Sequence, residues 1–435
     1  MLAFLGFAMV TTFMVLIMTG KISPLITLIL IPTLYGVIGG FAPELGPMMV
    51  DGIKSLAPTG VMLLFAILYF GIMIDAGLFE PLVRRILKWV KGDPFKIILA
   101  TAGIALLVSL DGDGSSMYLI VVGAMLPLYR RVKINPLILT CILMQCSHVM
   151  NTLPWGGPTA RASSALQVPI NDIFLPLLIP MILVILYILS MAVYFGKKER
   201  ARLGVLSFVD LTPTTEEYEE TEIPKVSERH KKLLPVNFLL TVVLMISLVM
   251  NLLPLSVLFM LGFCFAMMIN YPKISDQQDK LKELAGNAVP VSAMVFAAGI
   301  FTGILSGTKM VDAMAQTILQ FIPETMGPFM AVIVAILSIP FTFFMSNDAF
   351  YFGILPIMAK AAAAYGFTTT EVGIASIVGQ QVHLLSPLVP STFLLTGLVK
   401  VNFGEHQKFT LLWSLGGALV MLLGLLLIGS IPLYK

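Results

Sequence analysis

The sequence predicts an all-α polytopic membrane protein made of two repeated halves. Hydrophobic residues make up 58% of the 435-residue chain and charged residues only 12%, whereas a soluble domain carries about 25% charged residues. The apolar residues are gathered into tracts of roughly 20 residues, the length that a helix needs to cross a bilayer. The tracts of residues 1–196 recur in similar order in residues 234–435, on either side of a charged segment at 197–233. We therefore expect two membrane halves joined by a linker.

The first half, residues 1–196, contains five tracts that are predicted to span the bilayer. They are 2–19, 24–42, 58–77, 136–167 and 172–196. The opening run lacks the basic start and the small-residue cleavage site of a signal peptide, so we interpret it as a retained first helix. A short amphipathic stretch, Phe79–Lys91, follows the third span.

Two interruptions distinguish this half from a simple series of spans. The apolar tract 94–132 contains a polar tip, Ser109–Ser116, and two arms that turn back at this tip have about 16 residues each, short of a full crossing. We therefore predict a re-entrant helical hairpin, the alternative being an ordinary exposed turn between two spans. The span 136–167 is interrupted at Asn151–Pro158, where two prolines and two glycines must break the helix.

Residues 234–435 repeat this layout. The predicted spans are 235–252, 254–271, 287–307, 370–399 and 408–431. An amphipathic stretch at 309–322 precedes a re-entrant hairpin at 327–365, and the span 370–399 is broken at Leu385–Ser391. Faint residue matches, such as Leu153 with Leu385, recur at a constant offset of 232 residues. Because five spans is an odd number, the two halves are predicted to be inverted, an arrangement with broken helices that is typical of secondary transporters.

The distribution of lysine and arginine predicts the orientation. When the 197–233 linker is placed in the cytoplasm, most basic residues fall on the inner side. The outer side then keeps only Lys54, Lys309, Lys360 and Lys435. This asymmetry follows the positive-inside rule, so we expect a cytoplasmic linker and both termini outside.

Polar and ionisable side chains at membrane depth are the candidate functional residues, because their burial is costly and by default marks a binding site or an ion path. The candidates for metal or proton binding are Asp111, Asp113, Ser115, Asp348, His148 and His383. The candidates for substrate binding are Asn151, Thr152, Gly157, Thr159, Arg161, Ser346, Asn347, Ser386, Ser391 and Thr392. Arg161 can bind a carboxylate through a bidentate fork; the alternative is that it snorkels or pairs with a local acid. Either histidine could equally pack between helices, and any neutral group could satisfy a helix end.

Four segments carry a family resemblance: Met1–Phe7, Leu110–Gly114, Asn151–Arg161 and Ser346–Asp348. Together they resemble the CitMHS family of bacterial metal–citrate/proton symporters, within the ion transporter superfamily, and the likeness covers essentially the whole chain. The resemblance implies a protein of the bacterial plasma membrane that carries citrate complexed with a divalent metal ion of the Mg²⁺ or Ca²⁺ type, together with protons. It implies no tightly bound organic cofactor. The superfamily further implies a homodimer, each protomer having a scaffold domain and a transport domain that moves like an elevator.

Other functions stand as alternatives. The first alternative is a sodium-coupled carrier of free di- or tricarboxylates. Asp348 lies where the sodium-coupled dicarboxylate branch of the superfamily has threonine, and Asp111 and Asp113 replace the Ser-Asn pattern of that branch. These differences disfavour sodium coupling. An intramembrane aspartyl protease using Asp113 and Asp348 is disfavoured because these acids lie at hairpin tips rather than within continuous spans. The sequence has no nucleotide-binding motif for an ATP-driven pump, and nothing in it indicates nucleic acid binding. The three cysteines lie in apolar tracts and are expected to be packing residues.

Overall fold

The computed structural model of the protein contains helices and turns, and no strand, in the part of the chain that it describes. The described residues are 1–19, 21–78, 81, 90, 92–112, 114–204, 228–250, 252–320, 323, 325–386 and 389–435. Six helices among them are long and apolar enough to cross a membrane: Leu45–Asp75, Ile170–Leu203, Arg229–Leu248, Ala288–Gly307, Gly327–Phe344 and Phe403–Leu427. The predicted all-helical class is confirmed.

The helices of the first half begin where a capping residue and a proline direct them to begin. In chain order they are α1 (Leu2–Met18), α2 (Pro24–Ile38), α3 (Leu45–Asp75), α4 (Pro94–Val108), α5 (Gly114–Val132), α6 (Pro136–Met150), α7 (Gly157–Leu166) and α8 (Ile170–Leu203). Ser23, Asp93 and Asn135 precede the prolines that open α2, α4 and α6, and each side chain accepts a backbone N–H of the first turn. Such caps satisfy a donor that the helix start otherwise leaves unpaired.

The second half follows the same order. Its helices are α9 (Glu228–Val249), α10 (Leu255–Asn270), α11 (Ile274–Gly307), α12 (Met310–Leu319), α13 (Met330–Phe344), α14 (Leu355–Ala363), α15 (Thr369–Ser376), α16 (Gln380–His383), α17 (Pro390–Val399) and α18 (Phe403–Leu427). A π-helical turn, Ala349–Ile354, leads into α14, and a 3₁₀ turn, Ile377–Gly379, joins α15 to α16.

Two helices are longer than the sequence analysis predicts. Helix α3 begins at Leu45 rather than at residue 58, and α11 begins at Ile274 rather than at residue 287. The added turns carry charged side chains that are exposed, such as the Asp51–Lys54 pair at 3.7 Å. An apolar tract therefore defines only the part of a helix that suits hydrocarbon, and the helix itself continues beyond it.

Two pairs of helices at matching places in the two halves have equal lengths. Helices α4 and α13 each have 15 residues, and α7 and α17 each have 10. Residues with left-handed backbone recur at nearly constant spacing: Gly77 and Lys309 are 232 residues apart, and Lys133 and Gly366, like Gln167 and Lys400, are 233 apart. Helix α4 is about 22 Å long at 1.5 Å per residue, which is less than the roughly 30 Å thickness of the hydrocarbon core. Helix α13 and the 3₁₀ turn before it together form the 18-residue helix Gly327–Phe344, which is long enough to cross.

The helices pack into two groups. One group is built around α3 and α11, against which α2 and α10 also pack. Their backbones approach closely at small residues, because a Cβ on Gly52 would lie only 2.0 Å from the carbonyl oxygen of Gly299; small residues at such crossings allow tight packing without side-chain interdigitation. The other group contains α4 to α8 and α13 to α18, with α8 packed on both α4 and α18. Helix α1 contacts both α2 and α12.

The longest parts of the chain outside the described residues fall in two predicted segments. They are residues 79–80, 82–89 and 91 of the amphipathic stretch Phe79–Lys91, and residues 205–227 of the predicted linker. Helix α8 continues to Leu203 and α9 begins at Glu228, so helices extend into the predicted linker from both sides.

Candidate functional site

The first break in the chain separates α6 from α7 and is built by its own residues. Pro154 and Pro158 cannot donate backbone hydrogen bonds, and Gly156 has no room for a side chain because a Cβ there would lie 2.0 Å from the carbonyl oxygen of Asn151. The Thr152 hydroxyl donates to the Val149 carbonyl at 2.6 Å, and the Thr159 hydroxyl donates to the Thr152 carbonyl at 2.7 Å. These two predicted substrate ligands therefore satisfy the ends of the broken helix.

Trp155 joins this break to the tip of the first hairpin. Its indole N–H donates to the carbonyl of Leu110 at 2.8 Å, and Gly112, which has a φ of +75°, turns the tip beside the indole ring. The ring also packs on Phe70 of α3 and Phe259 of α10, with centroids 5.7 and 5.2 Å away. Asp111 is described by its backbone alone, as is Ser115, and Asp113 lies outside the described residues.

The tip of the second hairpin is joined to the second break by amides. Asn347 and Gln380 donate to each other's side-chain oxygens at 3.3 and 2.9 Å, and Gln380 also donates to the Tyr351 hydroxyl at 3.1 Å. The Ser346 hydroxyl accepts the backbone N–H of Ala349 at 3.2 Å. The sequence analysis did not identify Gln380 or Tyr351, and it assigned Asn347 to substrate binding, whereas here the Asn347 side chain holds the tip in place.

The second break also holds polar residues, and two of them contact backbone carbonyls. The Thr392 hydroxyl donates to the Leu384 carbonyl, and a ring nitrogen of His383 lies 2.6 Å from the carbonyl oxygen of Thr342 in α13. Ser386 is buried and Ser391 is half-buried. Residues 387 and 388 lie outside the described residues.

One ion pair joins the two halves at this point. The Nε atom of Arg161, in α7, lies 2.7 Å from Oδ1 of Asp348, at the second hairpin tip. The two side chains are 27% and 11% exposed, so both are largely buried and Arg161 is the more accessible of the two. Gly157 leaves space for the guanidinium, because a Cβ there would lie 2.6 Å from Nη1 of Arg161.

This pairing identifies a partner that the sequence analysis does not name. The sequence offers Arg161 as a ligand for a substrate carboxylate, the alternative being that it snorkels or pairs with a local acid. In the structure it pairs with Asp348 of the other half, 187 residues away. Charge-assisted hydrogen bonds of this kind are stronger than neutral ones. Arg161 and Asp348 thus neutralise each other where the first break meets the second tip.

A second set of buried polar groups lies deeper in the same helix group. Both ring nitrogens of His148 lack hydrogen-bond partners within the described part of the chain, as do Oε1 of Gln145 and both side-chain atoms of Gln381. Nε2 of Gln145 donates to the Ser414 hydroxyl at 2.6 Å. Gln145 and His148 are spaced i, i+3, as are Gln380 and His383. This repeated Gln-x-x-His pattern is the sequence signal that could have identified the glutamines.

Among the described side chains, no group of three histidines, cysteines, aspartates or glutamates is close enough together to hold a metal ion. The side chains of Asp111 and Asp113 are not among those described. Asp348 is the candidate carboxylate whose side chain is described, and it pairs with Arg161.

Comparison with known proteins establishes the family. The profile of a family described as citrate transporters, CitMHS, matches residues 14–379. The chain belongs to the CitMHS citrate transporter family. This confirms the predicted resemblance, and since the family and its named members are transporters, the protein is a transporter and not an enzyme.

Two relatives from Bacillus subtilis (strain 168) are similar over their whole length. A protein named citrate transporter is 55% identical over 432 residues, covering 99% of this chain and 100% of the relative. A protein named Mg(2+)/citrate complex secondary transporter is 47% identical over 434 residues, with 100% of both chains covered.

Two solved structures resemble the fold. The MtrF transporter of Neisseria gonorrhoeae aligns with a TM-score of 0.61 at 14% identity, covering 90% of this chain and 85% of that chain. The YdaH transporter of Alcanivorax borkumensis aligns with a TM-score of 0.58 at 14% identity, covering 91% and 90%. The protein therefore has an all-helical membrane transporter fold that these structures share.

We predict that Arg161 and Asp348 are energetically coupled. In a double-mutant cycle with Arg161→Gln, Asp348→Asn and the double variant, the second substitution should cost less than it does alone, with a coupling of about 1–3 kcal/mol, because each single variant leaves a poorly solvated charge. The exposed Lys282–Asp279 pair, 3.1 Å apart, is the matched control and should give less than about 1 kcal/mol. The measurement is unfolding of the detergent-solubilised protein; additive effects at Arg161 and Asp348 would contradict the pairing.

Proposed function

We propose that this transporter imports citrate complexed with a divalent metal ion, coupled to protons. The observation that carries the proposal is the Arg161–Asp348 pair, which holds one cationic and one anionic group side by side at the meeting of a broken helix and a hairpin tip. A ligand with a carboxylate at one end and a bound cation at the other is complementary to such a pair. The relative named Mg(2+)/citrate complex secondary transporter, 47% identical, supports the same substrate class.

The charge of the ligand favours the complex over free citrate. Free citrate carries about three negative charges at neutral pH, and burying them without compensating cations is very costly. The candidate residues include one arginine, two histidines and three aspartates, and a helix N-terminus contributes only about half a unit charge. A chelated divalent ion reduces the net charge of the ligand to about one negative unit, which a single arginine can match.

Binding then proceeds as an exchange of partners. A free carboxylate of the complex takes the place of Asp348 on the Arg161 guanidinium, which is suited to bidentate carboxylate recognition. The released Asp348 carboxylate becomes an oxygen ligand for the metal, as carboxylates are for Mg²⁺ and Ca²⁺. Asp111 and Asp113 at the other tip are the further candidates for metal or proton binding, with Ser115 beside them. The hydroxyls of Ser386 and Ser391 and the amide of Asn151 are candidates to hold the rest of the citrate.

Proton coupling is assigned to the carboxylates of the tips. Asp111, Asp113 and Asp348 are titratable groups at positions where a sodium site would use neutral oxygens, so at least one of them is the proposed carrier of the proton. His148, buried with both ring nitrogens unpaired in the described part of the chain, is a candidate to pass protons between the two breaks, and His383 borders the second tip.

The architecture proposed for this activity is a pair of inverted repeats that work as an elevator. The similar helix lengths and the recurring left-handed residues at offsets of 232 and 233 support a duplication. The group built on α3 and α11 is assigned to the scaffold and to a homodimer interface, and the group that contains the breaks and hairpins is assigned to the moving domain. The linker is assigned to the cytoplasm and both termini to the outside.

We predict that citrate and divalent metal enter proteoliposomes in equal amounts. Dual-label uptake with radioactive citrate and metal should fall to background in excess chelator and should not depend on sodium. Arg161→Lys should lower kcat/KM at least about tenfold, because a point charge replaces a planar fork. The control Arg200→Lys, which also alters an arginine paired with an aspartate (Asp93, 3.6 Å), should leave it unchanged. Citrate entry without metal would contradict the proposal and support the alternative, a carrier of free carboxylates.

We predict that at least one tip carboxylate carries the coupled proton. Asp→Asn substitutions at Asp111, Asp113 and Asp348 remove the titratable group, so at least one of them should make uptake insensitive to an imposed pH gradient. Asp172→Asn, an exposed acid on α8, is the control and should retain the dependence. The idea fails when all three variants keep the pH-gradient dependence of the parent protein.

We predict that the linker is cytoplasmic. A cysteine placed at Thr214, in a variant without the three native cysteines, should react with a membrane-impermeant thiol reagent only from the cytoplasmic side. A cysteine at Lys435 should react only from outside. Labelling of the linker in intact cells would overturn the inverted-repeat assignment, because five spans per half require these two positions to lie on opposite sides.

A further inference from the structure

A basic cavity lies at the end of the helix group that contains the breaks. It has a volume of about 750 Å³ and is formed where α5, α8 and α17 end and where α6 and α18 begin. Five cationic side chains line it and one acid does: Arg130, Lys133, Lys198, Arg202, Lys400 and Glu199. The residues that surround the charges are apolar, Phe195 and Phe409 among them.

The single acid of the cavity already has hydrogen-bond partners within the protein. Glu199 is buried and accepts two hydrogen bonds from Arg202, from Nε to Oε1 at 3.1 Å and from Nη2 to Oε2 at 2.5 Å. It also accepts the backbone N–H of Asn135, the capping residue of α6, at 3.3 Å. Arg202 in turn donates to the carbonyl of Lys133 at 2.9 Å. Glu199 therefore orders the cavity floor and neutralises Arg202.

The remaining cations are uncompensated. Arg130, Lys133, Lys198 and Lys400 form no ion pair with the described residues. Lys133 and Lys400 have φ angles of +61°, in the left-handed region where glycine is favoured. A non-glycine residue there costs of order 1 kcal/mol, yet the chain has lysine at both helix ends, and both lysines face the same cavity.

The cavity is separate from the transport site. It lies at the N-terminus of α6, whereas the first break follows the C-terminus of that helix. Fifteen residues at 1.5 Å each place the two about 22 Å apart. The cavity is also bordered by apolar helix faces that are exposed, with Tyr194 on α8 and Leu412 on α18.

We propose that this cavity binds the phosphate-bearing headgroup of an anionic phospholipid. Four cations that form no ion pair with the described residues line this cavity and supply the charge, and basic pockets between helices are sites for acidic headgroups. The exposed apolar faces of α8 and α18 accommodate the acyl chains beside the helices. The proposal does not depend on the substrate that the transporter carries.

The test compares phosphatidylglycerol, phosphatidylcholine and inorganic phosphate on the purified protein in detergent. Native mass spectrometry should detect phosphatidylglycerol retained by the parent protein, and the same lipid should raise its unfolding temperature, whereas phosphatidylcholine should do neither. The triple variant Lys133→Gln, Lys198→Gln, Lys400→Gln should lose about one retained lipid per chain and most of the temperature shift. Inorganic phosphate that reproduces the whole shift would identify a soluble phosphate as the source of the same chemistry and would overturn the lipid assignment.

Matched variants distinguish an effect of the cavity from an effect of the overall charge of the protein. The triple variant Lys21→Gln, Lys54→Gln, Lys273→Gln removes the same charge from exposed lysines outside the cavity and should behave like the parent. The triple variant Lys133→Arg, Lys198→Arg, Lys400→Arg keeps the charge and should keep binding, which excludes misfolding as the cause of a loss. Equal lipid retention by the parent and the cavity triple variant, or equal loss in the control triple variant, would overturn the proposal.

Discussion

A buried charged side chain in a membrane protein requires an opposite charge beside it. In this protein the contact between Arg161 and Asp348 satisfies that requirement. Either side chain alone would be expensive to hold there, yet the pair is held at 2.7 Å by elements from both halves of the chain. Gly157 leaves room for the guanidinium, and the π-helical turn begins directly after Asp348. The pair therefore lies where the backbone of both halves departs from regular α-helix.

The remaining contacts divide by type in an informative way. Within each half, neutral hydrogen bonds tie a hairpin tip to its own break: Trp155 to Leu110 in the first half, and Asn347 to Gln380 in the second. Between the first break and the second tip the contact is ionic, while neutral hydrogen bonds join the halves elsewhere, as between Gln145 and Ser414. A charged ligand can replace an ionic contact with contacts of its own while leaving the neutral ones intact.

The sequence predicts the helices better than it predicts what their polar residues do. Apolar tracts, prolines and caps predicted both helix breaks because these are local effects, although they misplaced the starts of α3 and α11, where charged turns extend past the apolar tract. The partner of Arg161 lies 187 residues away, so no local pattern could have identified it. The sequence leaves open whether Thr152, Thr159 and Thr392 bind substrate or satisfy helix ends, and in the structure their hydroxyls bond to nearby carbonyls.

The ion pair also constrains how such a chain can arise by duplication. Under the proposed repeat, the position that corresponds to Arg161 at an offset of 232 is Phe393, which is exposed and stacks on Phe403 with centroids 4.5 Å apart. The cation is thus present in one half and has no equivalent in the other. Under that repeat, an ancestor of half the length would assemble as two identical copies, and an ion pair between unlike residues at this contact requires the two halves to have diverged.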